Sequence, residues 1–227
     1  MKSHSISWCL FLLTFLLGCS NMADDQHRES QTEGKENEVV TKKTILFFGN
    51  SLTAGFGLDE EEAFPALIQD KIDSLELEYK VINGGLSGET TASGLSRISW
   101  FLEESIDVFF LELGGNDGLR GIDIEETERN LRAILNTVKD AYPEAQLILA
   151  GMEIPPNMGP GYTQSFREMY PKIADDYNDL IFIPFLLEGV GGNPELNLPD
   201  GIHPTAEGHI IVAENIWPYL KKALGYL

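Results

Sequence analysis

TILFFGNSLTAGFGL, residues 44–58, joins a short, nearly continuous apolar run to a Gly49-Asn50-Ser51 turn. A strand with one wet face alternates apolar and polar residues, whereas an unbroken run suits a strand buried on both faces of a parallel sheet. The same grammar recurs at Tyr79–Ile82 (YKVI), Ile106–Leu113 (IDVFFLEL), Ala145–Ala150 (AQLILA) and Leu180–Pro184 (LIFIP). Helical stretches are expected between these runs, at about 60–77, 90–104, 125–141, 163–178 and 205–224. Leu131, Ile134, Leu135 and Val138, for example, fall at i, i+3, i+4 and i+7 and form one apolar stripe. Strands alternating with helices in this way predict a doubly wound α/β sandwich. No internal repeat is visible.

Outward from that domain, the chain of 227 residues has two further parts. Lys2 precedes an apolar run from Ile6 to Leu17, which is shorter than the ~20 residues a spanning helix needs and reads as a signal-peptide core. Leu16-Leu17-Gly18-Cys19 closes it and resembles the bacterial lipobox, which implies diacylation of Cys19 and cleavage before it. Residues 20–43 are polar, charged and nearly free of large apolar groups, so they read as a flexible tether. The expected organisation is therefore a signal peptide (1–18), a lipidated Cys19 with its tether (19–43) and one folded domain (44–227). It predicts export and anchoring to the cell envelope, facing the periplasm or on the outer membrane. Cys9 lies in the discarded segment, so no cysteine remains to pair or to bind metal.

The formal charge of −20 becomes −21 once Lys2 is removed. Such a chain repels phosphate backbones and carries no Lys/Arg stripe to displace counterions, so nucleic acid is not expected as a partner. A solvated, soluble surface accounts for the charge. Absence of a G-x-x-x-x-G-K-[ST] loop, an H-E-x-x-H pair and a Cys/His cluster leaves nucleotide hydrolases and metalloenzymes without visible apparatus.

In open parallel sheets the working groups sit at the carboxyl ends of the strands. Here those ends carry Gly49-Asn50-Ser51, Gly84-Gly85-Leu86-Ser87-Gly88, Gly114-Gly115-Asn116-Asp117-Gly118 and, further on, Asp200-Gly201-Ile202-His203. A serine hydroxyl becomes a nucleophile when a base takes its proton, a carboxylate orients the base and donors receive the oxyanion. Of the four histidines, His4 lies in the signal, His27 in the tether and His209 in the last helical stretch, leaving His203 in a loop three residues after Asp200. Asn116 offers a side-chain N–H, and Gly88 and Ser51 offer backbone N–H groups. Each residue alone has another reading: Ser51 as a helix cap, Asp200 and His203 as a turn capping the last helix, the glycines as turn formers. The absence of G-x-S-x-G disfavours an ordinary α/β-hydrolase.

The stretches GNSLTAGFGL (49–58), GLSGETTASGL (85–95), LGGNDGLRG (113–121) and DGIHP (200–204) resemble, in order, the four sequence blocks of the SGNH (GDSL-like) hydrolases. Within that family the resemblance is to the bacterial thioesterase I, lysophospholipase L1 and arylesterase subgroup. It implies a flavodoxin-like three-layer α/β/α sandwich with a five-stranded parallel sheet and cofactor-free hydrolysis of esters or thioesters through an acyl-enzyme. It also implies Ser51 as nucleophile, His203 as base, Asp200 as its partner, and an oxyanion hole from Ser51, Gly88 and Asn116. A small-molecule or lipid ester substrate and a monomer are expected. The family block usually reads Gly-Asp-Ser, and Asn50 departs from it, which alters hydrogen bonding and charge beside Ser51. Segments 118–123 and 152–162 are expected to line the cleft, with Glu153, Glu188 and Glu195 read as solvated surface. A carbohydrate O-acetylesterase on the same fold and a non-catalytic binding protein are the alternatives.

Overall fold

Phe47 and Phe48 are neighbours in sequence and so point to opposite faces of their strand. Phe47 meets Phe64 and Phe110 on one side, with ring centroids 5.6 and 4.8 Å away, and Phe48 meets Phe101 and Phe109 on the other, at 5.6 and 6.0 Å. Both faces of the strand are therefore covered, as the unbroken apolar run requires.

The computed structural model describes residues 41–226. The signal segment, Cys19 and most of the tether lie outside them. The elements are β1 (Lys43–Gly49), α1 (Ser51–Ala54), a 3-10 turn (Glu60–Glu62), α2 (Phe64–Ser74), β2 (Tyr79–Gly85), α3 (Thr91–Arg97) and a second 3-10 turn (Ile98–Phe101). They continue with β3 (Val108–Glu112), α4 (Gly115–Leu119), α5 (Ile124–Ala141), β4 (Gln146–Ala150), a third 3-10 turn (Pro156–Met158), α6 (Pro160–Asp175), β5 (Ile181–Ile183) and α7 (Ala206–Ala223).

The sheet has five strands in the order β2-β1-β3-β4-β5, and every neighbouring pair is parallel. This is the flavodoxin-like order. Helices α2 and α7 pack together, as do α3 with α5 and α5 with α6. Phe64, from α2, and Phe101, from the turn after α3, lie on opposite sides of β1, so the two groups form separate layers. Parallel neighbours need crossover connections, and the helices supply them.

The order reverses between β1 and β3, and a doubly wound sheet opens its crevice at such a point. Gly49 stands opposite Glu112 there, at the carboxyl ends of the two strands. Ser51 follows one strand and Asn116 the other. The fold thus delivers the G-N-S turn and the G-G-N-D-G turn to a shared edge.

Candidate active site

Asn50, not Ser51, caps α1: its side-chain oxygen accepts from the Leu52 N–H at 3.0 Å. Ser51 is thereby released from the capping role and occupies the first position of the helix, where no preceding carbonyl claims its N–H. The hydroxyl instead faces His203, with Oγ 2.9 Å from Nε2. The imidazole Nδ1 lies 2.7 Å from Asp200 Oδ2. Asp200 Oδ1 accepts the N–H groups of Ile202, at 2.8 Å, and His203, at 3.0 Å, so one carboxylate shapes the turn and orients the ring.

The other reading of Asp200, as a cap for the last helix, falls to Thr205, whose hydroxyl accepts from the Gly208 N–H. The loop that carries the pair is tied down on both sides. Leu198 N–H donates to His203 O at 2.7 Å, and buried Asn197 donates its amide to the carbonyls of Val190 and Asn193, both at 2.7 Å. The hydrogen bond from the His203 side chain, reinforced by the backbone donors, pulls the Asp200 carboxyl down to about 2. Asp200 therefore remains an anion wherever a neutral imidazole can act as a base.

The glycine-rich loop after β2 is fastened to the same edge. Leu86 N–H donates to Gly49 O at 2.9 Å, which joins this loop to the turn after β1. Gly88 has φ +81°, a left-handed conformation that favours glycine, and its N–H donates to no protein acceptor among the described residues. Its carbonyl accepts from Arg120 at 3.0 Å. Asn116 donates one amide hydrogen to Glu89 O at 3.0 Å, leaving its second free for a ligand and fixing which way the amide points. Behind these groups, Glu89 and Arg97 form a buried ion pair, and the guanidinium lies 4.4 Å from the Phe48 ring centroid. The turn after β3 is itself a short helix, α4, anchored where buried Asp117 accepts from the Thr91 hydroxyl at 2.6 Å.

Ser51, Asp200 and His203 thus form one hydrogen-bonded chain, and Gly88 and Asn116 stand on loops bonded to the same edge. Two contributors were not singled out from sequence. Phe56 lies against His203 with ring centroids 4.5 Å apart and planes tilted by 38°, and Glu112 accepts three hydrogen bonds from the turn that bears Ser51. A strand-end acid inside an apolar run was the available signal for Glu112; Phe56 gave none.

Segments 118–123 and 152–162 pack on one another: Tyr162 donates to Ile122 O at 2.6 Å, and the Met158 methyl lies 3.8 Å from where a Cβ on Gly121 would be. Met152 and Ile154 are nevertheless buried, so part of the second segment supports the edge from below. Glu153 is paired with Arg167 at 2.9 Å, and Glu188 and Glu195 are exposed.

A sequence profile of the GDSL-like Lipase/Acylhydrolase family matches residues 47–211. Esterase TesA of Pseudomonas aeruginosa is 38% identical over 188 residues, covering 82% of this chain and 92% of that protein. Thioesterase 1/protease 1/lysophospholipase L1 of Escherichia coli is 38% identical over 172 residues, covering 75% of this chain and 80% of that protein. The crystal structure of the psychrotrophic esterase EstA from Pseudoalteromonas sp. superposes with a TM-score of 0.75 at 33% identity, covering 81% of this chain and all of that one, 100%. With the four blocks and the flavodoxin-like sheet already in place, these matches establish that the chain belongs to the GDSL-like lipase/acylhydrolase family and is an ester hydrolase.

Proposed function

We propose that Ser51 is the nucleophile of a serine esterase that cleaves carboxylic esters or thioesters through an acyl-enzyme, with His203 as base and Asp200 holding it. The observation that carries this reading is the continuous chain from Ser51 Oγ to His203 Nε2, at 2.9 Å, and from His203 Nδ1 to Asp200, at 2.7 Å. Ser51 Oγ attacks the acyl carbon while Nε2 takes its proton. The carbonyl oxygen becomes an oxyanion, received by the Ser51 and Gly88 N–H groups and the Asn116 amide. Collapse returns the electron pair to the carbonyl and expels the alcohol or thiol, which takes the proton from His203. Water then enters with His203 again as base, and its attack on the acyl-enzyme releases the acid and restores Ser51.

An intact set of catalytic and oxyanion groups favours an enzyme over a binding scaffold. Removal of Asn116 in Asn116→Ala should lower kcat by about 10²–10³-fold. Turnover of p-nitrophenyl esters by Ser51→Ala equal to that of the wild type would reject the nucleophile assignment. A series of acetyl to dodecanoyl esters, acyl-CoA, lysophospholipid and acetylated glycans ranks the acyl and leaving groups.

For the whole chain, the lipobox-like Leu16-Leu17-Gly18-Cys19 and the polar stretch after it support an exported enzyme held to the envelope by lipid on Cys19. Mass spectrometry of the purified chain is expected to find a diacylated Cys19 at its N-terminus; an unmodified terminus upstream of Cys19 would refute the anchor.

A further inference from the structure

Glu112 ends β3 with no exposed surface, directly opposite Gly49. Together with the nearer Thr53 hydroxyl, its carboxylate fills the space that any side chain at 49 would need, lying 2.6 Å from where a Cβ on that glycine would be. It accepts from the Asn50 backbone N–H at 3.1 Å, from Asn50 Nδ2 at 2.6 Å and from the Thr53 hydroxyl at 2.8 Å. All three donors belong to the turn that carries Ser51.

A carboxylate only accepts hydrogen bonds, so the Asn50 amide must turn its nitrogen to Glu112 and its oxygen away. That oxygen then does two things: it caps α1 through the Leu52 N–H at 3.0 Å and lies 3.3 Å from Ser51 Oγ. A flipped amide would aim N–H groups at the Leu52 N–H and lose the cap.

We propose that Glu112 is a positioning residue: it locks the Asn50 amide so that the turn presents Ser51 to His203, and turnover depends on a matched donor and acceptor at positions 50 and 112. This rests on Ser51 being the nucleophile. It also explains what Asn50 does in place of the usual aspartate. Two carboxylates at this spacing cannot both be ionised, so an acid at 50 would need a proton held between the two. An amide makes the same bond without one.

Burial pushes the Glu112 carboxyl up to about 7, against the pull of its three donors. Protonation need not break the lock. A proton on Oε2 can be donated to the Thr53 oxygen while Oε1 still accepts from the Asn50 amide. From the other elements, Tyr170 of α6 couples electrically to Glu112 and is itself held neutral, its pKa raised by burial and then by Glu112 and Asp117. Among the described residues, hydrogen bonds link His203 to Glu112 through Ser51 and Asn50.

The test compares Glu112→Gln, Asn50→Asp and the double variant by kcat and KM for p-nitrophenyl acetate across pH, with melting curves to show folding. In Glu112→Gln the single amide oxygen can accept from Asn50 Nδ2 or from the Asn50 backbone N–H but not from both, so one donor of the turn is left facing a nitrogen, and kcat should fall by between about tenfold and a hundredfold with KM nearly unchanged. Asn50→Asp should gain an alkaline loss of kcat that the wild type lacks, as the shared proton is removed. In the double variant the glutamine nitrogen donates to the new carboxylate, and its oxygen still accepts from the backbone and Thr53. It should recover kcat to within a few-fold and lose the added alkaline limb.

A double variant no better than the poorer single one overturns the proposal, as does a fully active Glu112→Gln. If Glu112→Gln does not fold, an Asn50→Asp profile without the alkaline limb overturns it alone. Ser51→Ala is run alongside: activity there would remove the nucleophile assignment itself, whereas an inactive Ser51→Ala with failed rescue removes only the role of Glu112.

Discussion

At the scale of single residues, the site depends on small exchanges of role that sequence alone left open. Ser51 and Asp200 each had a competing reading as helix caps, and both readings lapse because Asn50 and Thr205 hold those positions. Ser51, Asp200 and His203, which the structure joins in one hydrogen-bonded chain, were legible because their types and order are distinctive. Their supports were not, since an aromatic such as Phe56 or an acid such as Glu112 has no motif of its own. Phe56 is 47% exposed, yet its ring lies 4.5 Å from that of His203, so it shields one face of the imidazole and restrains its rotation. Aromatic pairs of this kind contribute about 0.5–1.5 kcal/mol beyond area burial, which predicts a loss of roughly two- to tenfold in kcat/KM for Phe56→Ala. Phe56→Tyr should retain most of the activity. Equal kcat/KM in Phe56→Ala and wild type would show that this contact does not hold the imidazole.

At the scale of elements, the expected strands fall within the observed ones or overrun them by a residue or two. The run at 44–48 becomes Lys43–Gly49, and that at 106–113 shortens to Val108–Glu112. Hydrophobic pattern records burial, and burial does not stop where the hydrogen-bond ladder does, which is why boundaries were less legible than the elements themselves. The stretch at 60–77 divides because Ala63 is extended between the first 3-10 turn and α2. The turn after β3 condenses into α4 because tertiary contacts to α3 hold it, a cause no local propensity carries. Another such contact is the Glu89–Arg97 pair, with side chains 0% and 10% exposed, which staples the Gly88 loop to α3. Arg97 also donates to Gly84 O at 2.8 Å. Removing one member of a buried pair leaves the other uncompensated, so Arg97→Met should cost about 3–5 kcal/mol in urea unfolding. A loss below about 1 kcal/mol, the scale of an exposed pair, would contradict that burial.

At the scale of the whole molecule, two buried groups give stability opposite dependences on pH. His209 accepts the Phe64 N–H on Nδ1 at 3.0 Å and so must stay neutral; burial, then the nearby His203, lowers its pKa from 6.5 to about 4. Between those values the unfolded chain takes up a proton that the folded chain resists, so His209 lowers stability as pH falls, by roughly 3 kcal/mol over the full window. Glu112 works the other way: raised from 4.5 to about 7, it binds its proton more tightly when folded, and its contribution declines as pH rises through that range. In His209→Gln, which keeps an acceptor for Phe64, the stability of the wild type relative to the variant should rise between pH 4 and 6.5. A gap independent of pH would contradict a neutral buried imidazole. The reversal of strand order between β1 and β3 brings the turns that bear Ser51 and Asn116 to one edge of one sheet. The central claim, that a covalent intermediate forms there, is tested most directly by treating the purified enzyme with a fluorophosphonate and sequencing the adduct by mass spectrometry. One equivalent on Ser51, with complete loss of esterase activity and no adduct in Ser51→Ala, is the predicted result; label on another residue, or full activity in the labelled enzyme, would contradict it.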